Sequence, residues 1–247
     1  MSADPFSLEG KRVLVTGASS GLGRQIAIAC AARGATLIVT GRDEERLSES
    51  LRSLAGSGHE SVAGDLTEAE ARDRVGAAAG EVDGVVHSAG ISRLSPIRLA
   101  TQGHVEEVWK INYEAPLMLC QRLLARNQVR ADGSILFLSS IAALIGVPGV
   151  GVYSGTKAAL VATMRCLAME VVKRRIRVNC LAPALVETPL LAATGQVVGS
   201  LEKQQAAYPL GFGKPEDVAN AAVFFLSAAS RWITGTTLVM DGGLTIS

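Results

Sequence analysis

The sequence predicts an α/β protein: a doubly wound parallel sheet of about seven strands, with helices on both faces, in a single domain. Three observations predict it. Short runs rich in Val, Ile and Leu alternate with longer stretches of helical spacing along the whole chain. A glycine-rich turn, "TGASSGLG" (Thr16–Gly23), closes the first run and opens the first helical stretch. Among 247 residues, 48% are apolar but only 4% aromatic, a composition suited to aliphatic strands under Ala-rich helices.

The elements follow in order. Val13–Thr16 is a short apolar run closed by Gly17. From Leu22, small and apolar residues recur at helical spacing through Ile26, Ala29 and Cys30, and Gly34 ends that helix. Leu37–Thr40 is the second strand, and Glu44–Arg46 begins the next helix. Further strands are predicted at Ser61–Ala63, Gly84–His87, Ser134–Leu138, Ile176–Asn179 and Thr237–Met240, with helices over 68–80, 102–126, 154–172 and 216–228. Strands alternating with helices imply right-handed crossovers and a parallel sheet. No linker, internal repeat or low-complexity segment divides the chain, so residues 1–247 form one domain. The least regular stretch, 187–212, is expected to act as a lid over a site at the strand ends.

Composition excludes several functions. A net charge of +1 provides no field to recruit nucleic acid or acidic lipid. The basic cluster Lys173, Arg174, Arg175 and Arg177 falls where a helix ends, and interaction with the helix dipole accounts for it. Cys30, Cys120, Cys166 and Cys180 show no Cys-x-x-Cys pair, which fits free thiols in a reducing cytoplasm and no metal site. Residues 133–156 carry no charge and could span a bilayer by length, but Gly133, Gly146, Pro148, Gly149, Gly151 and Gly155 fit a strand, a loop and a helix start instead. His59 and His104 are expected at the surface, and His87 as a packed, hydrogen-bonded core residue.

The glycine turn points to an anion. Gly17, Gly21 and Gly23 allow a tight turn and close approach, and the helix behind them offers free amides to a pyrophosphate. The second strand ends "VTGRD". A carboxylate there would accept from a free ribose diol, whereas a cation favours a 2′-phosphate. Gly41 occupies the expected place of the acid and Arg42 follows, a pattern that favours NADP; Asp43, if turned inward, would favour NAD. Asp65 lies near the adenine edge or caps the helix that follows it.

The chain resembles the short-chain dehydrogenase/reductase family from Leu8 to about Gly243. The resemblance rests on TGASSGLG at 16–23, Asp65–Leu66, "SAG" at 88–90, Asn112 in "KINY", Ser140 thirteen residues before Tyr153, Lys157 four residues after it, "APALVETPL" at 182–190 and "DGG" at 241–243. It implies a Rossmann-type fold and similarity to 3-oxoacyl-carrier-protein reductases. By that resemblance Asn112, Ser140, Tyr153 and Lys157 are catalytic. Cofactor contacts fall to Gly17, Ser19, Ser20, Gly21, Leu22, Gly23, Arg42, Asp65, Leu66, Ser88, Ala89, Gly90, Tyr153, Lys157, Pro183, Val186 and Thr188. Tyr153 exchanges a proton with the substrate oxygen; Lys157, with the charge of the oxidised nicotinamide, lowers the phenol's pKa. Ser140 orients the carbonyl and Asn112 holds a relay water. Ser139 is a positional rival of Ser140. Ser88 stands where the family usually has Asn, and Ala184 where it has Gly. The implied partners are a small carbonyl or alcohol substrate and further copies of this chain, as a homotetramer or homodimer. The competing readings are an NAD-dependent alcohol or sugar dehydrogenase and a non-catalytic nucleotide sensor.

Overall fold

The computed structural model describes residues 4–188, 191 and 205–246. Seven parallel strands form one sheet: β1 (Arg12–Thr16), β2 (Thr36–Gly41), β3 (Glu60–Ala63), β4 (Val82–His87), β5 (Val129–Leu138), β6 (Arg177–Pro183) and β7 (Thr237–Met240), in the order β3-β2-β1-β4-β5-β6-β7. The helices are α1 (Gly21–Ala32), α2 (Glu44–Arg52), α3 (Ala69–Ala79), α4 (Gln102–Trp109), α5 (Ala115–Ala125), α6 (Gly151–Val171) and α7 (Pro215–Leu226).

Alternation along the strands explains the two layers. Val13 and Val15 face one way and pack with Ile26 of α1 and Phe225 of α7. Leu14, between them, faces the other way into a second core with Leu119, Phe137 and Met164. Both sheet faces are therefore covered, and the central strands are fully buried. The chain reverses its direction of strand addition between β1 and β4, which run side by side, Leu14 level with Val85. That switch point opens a crevice at the carboxyl ends of the strands.

The stretch expected as one helix over 102–126 is interrupted. Lys110–Glu114 forms a π turn between α4 and α5. Pro116 is its cause: it has no N–H to donate to the Asn112 carbonyl, and its ring crowds that group. Ala115 donates instead to Lys110, five residues back.

The basic cluster at 173–177 does not serve the dipole of its own helix. Arg174 donates to the Val129 carbonyl, Arg175 forms a two-pronged pair with Asp132, and buried Arg177 donates to Phe225 and Ser227 carbonyls at the end of α7. All four cysteines are free. Among the described residues no helix is long and apolar enough to cross a membrane. Most of the lid stretch, including Leu190, Val197 and Val198, lies outside the described residues.

Candidate active site

The glycine turn between β1 and α1 closes against the segment after β4. Gly17 has φ +66°, and a Cβ there would meet the Ala89 Cα at 2.7 Å. A Cβ on Gly23 would meet the Ser88 hydroxyl at 2.5 Å. The Ser88 hydroxyl donates to the Thr16 carbonyl, and the Thr16 hydroxyl accepts from the Ser88 and Ala89 amides at 3.1 and 3.2 Å. Ser88 thus ties the two loops together although it is shorter than Asn. Thr16, which sequence reasoning passed over, supplies the other half of this tie; its place as the last residue of β1 was the available signal.

In front of this turn lies a crevice of about 870 Å³, lined by the glycine turn, Arg42, Asp65, Leu66 and Gly90. Ser20, which precedes α1, makes no side-chain cap, and the start of the helix faces the crevice. Asp43 borders the crevice together with Arg42, and its carboxylate is engaged at the start of α2. It caps α2, accepting from the Arg46 amide at 3.0 Å, and pairs with the Arg46 guanidinium at 3.3 Å. The rim therefore presents Arg42, beside Gly41 and Ser19, whose hydroxyl lies 3.0 Å from where a Gly41 Cβ would sit. Arg46 also lines the crevice, a contribution the sequence reading missed. Asp65 is not the cap of α3, which begins at Ala69 after Glu68. It closes a local turn by accepting from the Thr67 amide at 2.9 Å. Burial pushes its carboxyl up, but the Thr67 bonds and the charges of Arg42 and Lys110 outweigh this and hold it below the usual range.

A second cavity, of about 570 Å³, joins the first at Leu22, Ser88, Gly90, Ile91 and Thr188. Ser140, Tyr153, Lys157, Pro183 and Val186 all line it. Ser140 follows β5 and caps a single helical turn, accepting from the Ala142 amide at 3.2 Å. Its hydroxyl donates to the Pro183 carbonyl at 3.4 Å and lies close enough to the Tyr153 phenol to lower that group's pKa. Ser139, the rival, spends its hydroxyl on the Lys157 carbonyl at 3.0 Å. Tyr153 and Lys157 lie one turn apart near the start of α6, with the Lys157 Nζ 5.6 Å from the Tyr153 ring centre. That Nζ donates to the Leu138 carbonyl at 2.8 Å.

The titration of the pair differs from expectation. Burial raises the Tyr153 phenol above its usual 10, and the Ser140 hydrogen bond is what opposes this; the lysine charge is not among the causes. Burial also brings Lys157 down to about 8, with Cys180 opposing weakly.

Asn112 is fully buried in the π turn and reads the backbone after β4. It accepts from the Ile91 amide at 2.8 Å and donates to the Ile91 carbonyl at 2.9 Å and the Thr156 hydroxyl at 3.4 Å. A Cβ on Gly90 would sit 3.1 Å from the Asn112 Oδ1 and 3.4 Å from the Lys157 Nζ, so the two side chains meet beside Gly90. Thr188 donates to the Val186 carbonyl at 3.2 Å and lies near Gly21. Ala184 is not among the described non-glycine residues with positive φ, and its amide donates to Met240 at 2.9 Å.

His87 is packed but not hydrogen-bonded. Its ring stacks on Phe137 at 4.7 Å, neither ring nitrogen has a partner, and burial takes its pKa to about 3. Among the described residues no cluster of His, Cys, Asp and Glu could hold a metal ion.

Glycines whose missing Cβ atoms leave room, an uncapped helix start and a cation at the rim together form a cradle that fits a dinucleotide, with Tyr153 and Ser140 at its far end. The comparisons with known proteins agree. Residues 17–245 match the family described as Enoyl-(Acyl carrier protein) reductase. The chain is 34% identical to a 3-oxoacyl-(acyl-carrier-protein) reductase of Chlamydia pneumoniae, over 97% of this chain and 99% of that one. A chain of Beutenbergia cavernae assigned as an NAD(P)-dependent gluconate 5-dehydrogenase, with NADP at low occupancy, superposes with a TM-score of 0.89 at 34% identity, covering 99% and 100% of the two chains. A 3-ketoacyl-(acyl-carrier-protein) reductase of Brucella melitensis complexed with NADH gives 0.89 at 30% identity, covering 97% and 100%.

The chain belongs to the short-chain dehydrogenase/reductase family. Within it, the chain is similar to the 3-oxoacyl-carrier-protein reductases, and it is an oxidoreductase of the CH–OH/C=O class that uses a nicotinamide cofactor.

Proposed function

We propose that the chain is an NADP-dependent reductase of ketones, of the carbonyl or 3-oxoacyl type, with Tyr153 as its general acid and base. The observation that carries this is the Ser140–Tyr153 hydroxyl pair at the wall of a cavity continuous with the dinucleotide crevice. The glycine turn, Ser19, Ser20, Leu22, Asp65, Leu66 and Ala89 hold the adenosine and pyrophosphate parts, and Arg42 receives the 2′-phosphate. Gly90, Pro183, Val186, Thr188 and Lys157 hold the nicotinamide end. The reduced cofactor, when bound, supplies the hydride that the carbonyl carbon receives.

The chain's own residues handle the oxygen and its proton. Ser140 and Tyr153 converge on one acceptor, so the developing oxyanion meets two donors. Tyr153 releases its proton to that oxygen, leaving a secondary alcohol. The protein alone holds the phenol high, so the phenolate needs the oxidised cofactor's positive charge and a protonated Lys157 beside it. Asn112, seated beside Lys157, holds the water that returns the proton to it. Replacing Tyr153 with Phe is expected to reduce ketone-dependent NADPH consumption by roughly 10²–10⁴-fold with cofactor affinity nearly unchanged. Retained turnover would remove the phenol from this role.

The alternative, an NAD-dependent alcohol or sugar dehydrogenase, draws support from the relative that holds NADH. An Arg42→Ala variant decides: the NADP-over-NAD ratio of kcat/KM is expected to fall by about tenfold or more. The chain works on a small-molecule substrate as a cytoplasmic homotetramer or homodimer. Retention of both Tyr153 and Lys157 argues against a non-catalytic nucleotide sensor.

A further inference from the structure

The smaller cavity is defined by what its wall lacks. Among its described lining residues Lys157 is the one charged side chain, and its Nζ is committed to the Leu138 carbonyl at 2.8 Å. Most lining hydroxyls are also committed. Ser88 donates to the Thr16 carbonyl, Ser139 to the Lys157 carbonyl and Thr188 to the Val186 carbonyl. The Tyr208 hydroxyl lies beside the Leu185 backbone, which favours its ionised form and leaves its own proton uncommitted. Ser140 donates to the Pro183 carbonyl at 3.4 Å beside the Tyr153 phenol, and the Tyr153, Tyr208 and Ser92 hydroxyls complete the described lining.

The rest of the wall is aliphatic. Leu94, Ile141, Ile145 and Val150 line it, joined by Leu185 after β6 and Leu244 near the C-terminus. Leu244 is seated by the terminal "DGG" segment: Asp241 accepts from the Gly243 and Thr245 amides at 3.0 and 2.8 Å, and the chain turns back over Tyr208 and Pro209. The apolar surface continues outside. Ile97 packs on Gly151 at the start of α6 and is 68% exposed, and Leu144 and Val147 are 50% and 38% exposed. Single exposed apolar residues are ordinary, but these adjoin the lining residues Ile145 and Val150.

We propose that the substrate is an uncharged ketone, or the matching secondary alcohol, with one oxygen for Ser140 and Tyr153 and a large alkyl or aryl group that lies on this aliphatic wall. The proposal rests on the reading of Ser140 and Tyr153 given above and narrows it. Hydrogen-bond accounting excludes the alternatives. A keto-polyol brings several hydroxyls to a wall whose described residues offer two uncommitted hydroxyls, Ser92 and Tyr208, beyond the reacting pair, and each one left dry costs roughly tenfold in binding. A keto acid brings a carboxylate, and no free cation stands among the described lining residues to meet it. An apolar chain gains roughly fourfold per methylene buried.

The test is a matched set of carbonyls with NADPH: 2-butanone, 2-octanone and 4-phenyl-2-butanone against erythrulose, fructose and acetoacetate. kcat/KM is expected to rise by about two orders of magnitude from 2-butanone to 2-octanone. Erythrulose and acetoacetate are expected at least about 100-fold below 2-octanone. Either of them within about tenfold of 2-octanone would overturn the proposal. If no carbonyl is reduced, the reductase reading fails by itself; calorimetry with NADPH-loaded protein then decides this one, tight binding of 4-phenyl-2-butanone over erythrulose supporting it and the reverse refuting it. A Val147→Arg variant places a cation on the exposed part of the wall, where the fold tolerates it, as a thermal melt would verify. It is expected to raise the acetoacetate-to-2-octanone ratio by about tenfold, and an unchanged ratio would place the substrate elsewhere.

Discussion

Lys157 and His87 show what burial does to single ionisable groups in this protein. Lys157 titrates near 8 in the folded chain against 10.5 when exposed, so between those values the unfolded chain holds the proton and the folded chain does not. Stability then rises with pH across that window, and the cost of burying the ammonium is felt in full below pH 8. Relative to a Lys157→Met variant, the wild type is expected to gain on the order of 3 kcal/mol from pH 8 to 10.5, measured by urea unfolding at several pH values. A difference independent of pH would mean that the amine is hydrated. His87 is the mirror case in acid. With a folded pKa near 3 against 6.5, it is neutral in the native state and takes stability away as pH falls below 6.5. Both its ring nitrogens are buried without partners. A His87→Leu variant is expected to be about 1–2 kcal/mol more stable at neutral pH, with a further relative gain at pH 5. A loss of stability would show that the imidazole has a partner, such as a bound water.

Between elements, the site depends on the glycine turn, which was legible in advance, and on two ties that were not. The glycine spacing in TGASSGLG announced the turn, and the positive φ of Gly17 and its contact with Ala89 explain why glycine is needed there. The Ser88–Thr16 tie was not legible, because it joins residues 72 positions apart. Replacing Ser88 with Ala is expected to cost about 1–2 kcal/mol and to weaken NADPH binding, read by fluorescence titration, since the Thr16 carbonyl loses its donor. The second tie is the π turn. Pro116 was visible in the sequence, but its effect on Asn112 needed the helix register. A Pro116→Ala variant restores the missing amide. It is expected to draw Asn112 away from Ile91 and lower kcat while leaving the melting temperature nearly unchanged. Full activity in that variant would separate the π turn from the chemistry.

At the scale of the whole molecule, the outer face of the α4–α5 and α6 helices carries exposed apolar residues that no contact within the chain explains. Trp109 and Met169 are 42% and 74% exposed there, and Ala162 and Cys166 are exposed beside Met169. Such a face is expected to be covered by a second copy of the chain. Light scattering should return a mass near four times 25.7 kDa, and Met169→Asp should lower it. A wild-type mass near one chain would reject the assembly.

The class of fold followed from local patterns: strand runs, helical spacing and a glycine turn each depend on neighbours in sequence, and all seven strands fall where those patterns lie. The pairing of Tyr153 with Lys157 was legible for the same reason, since four residues make one helical turn. Local pattern failed where a side chain's role depends on distant partners. Asp65 and Asp43 are identical carboxylates near a strand end, yet one closes a turn beside Arg42 and the other caps α2. Arg177 sits in a basic run but serves a helix 48 residues away. Burial of Tyr153 and Lys157, which raises one pKa and lowers the other in the protein alone, was not legible, because charge proximity can be read from spacing whereas desolvation is set by every atom the fold packs around a group.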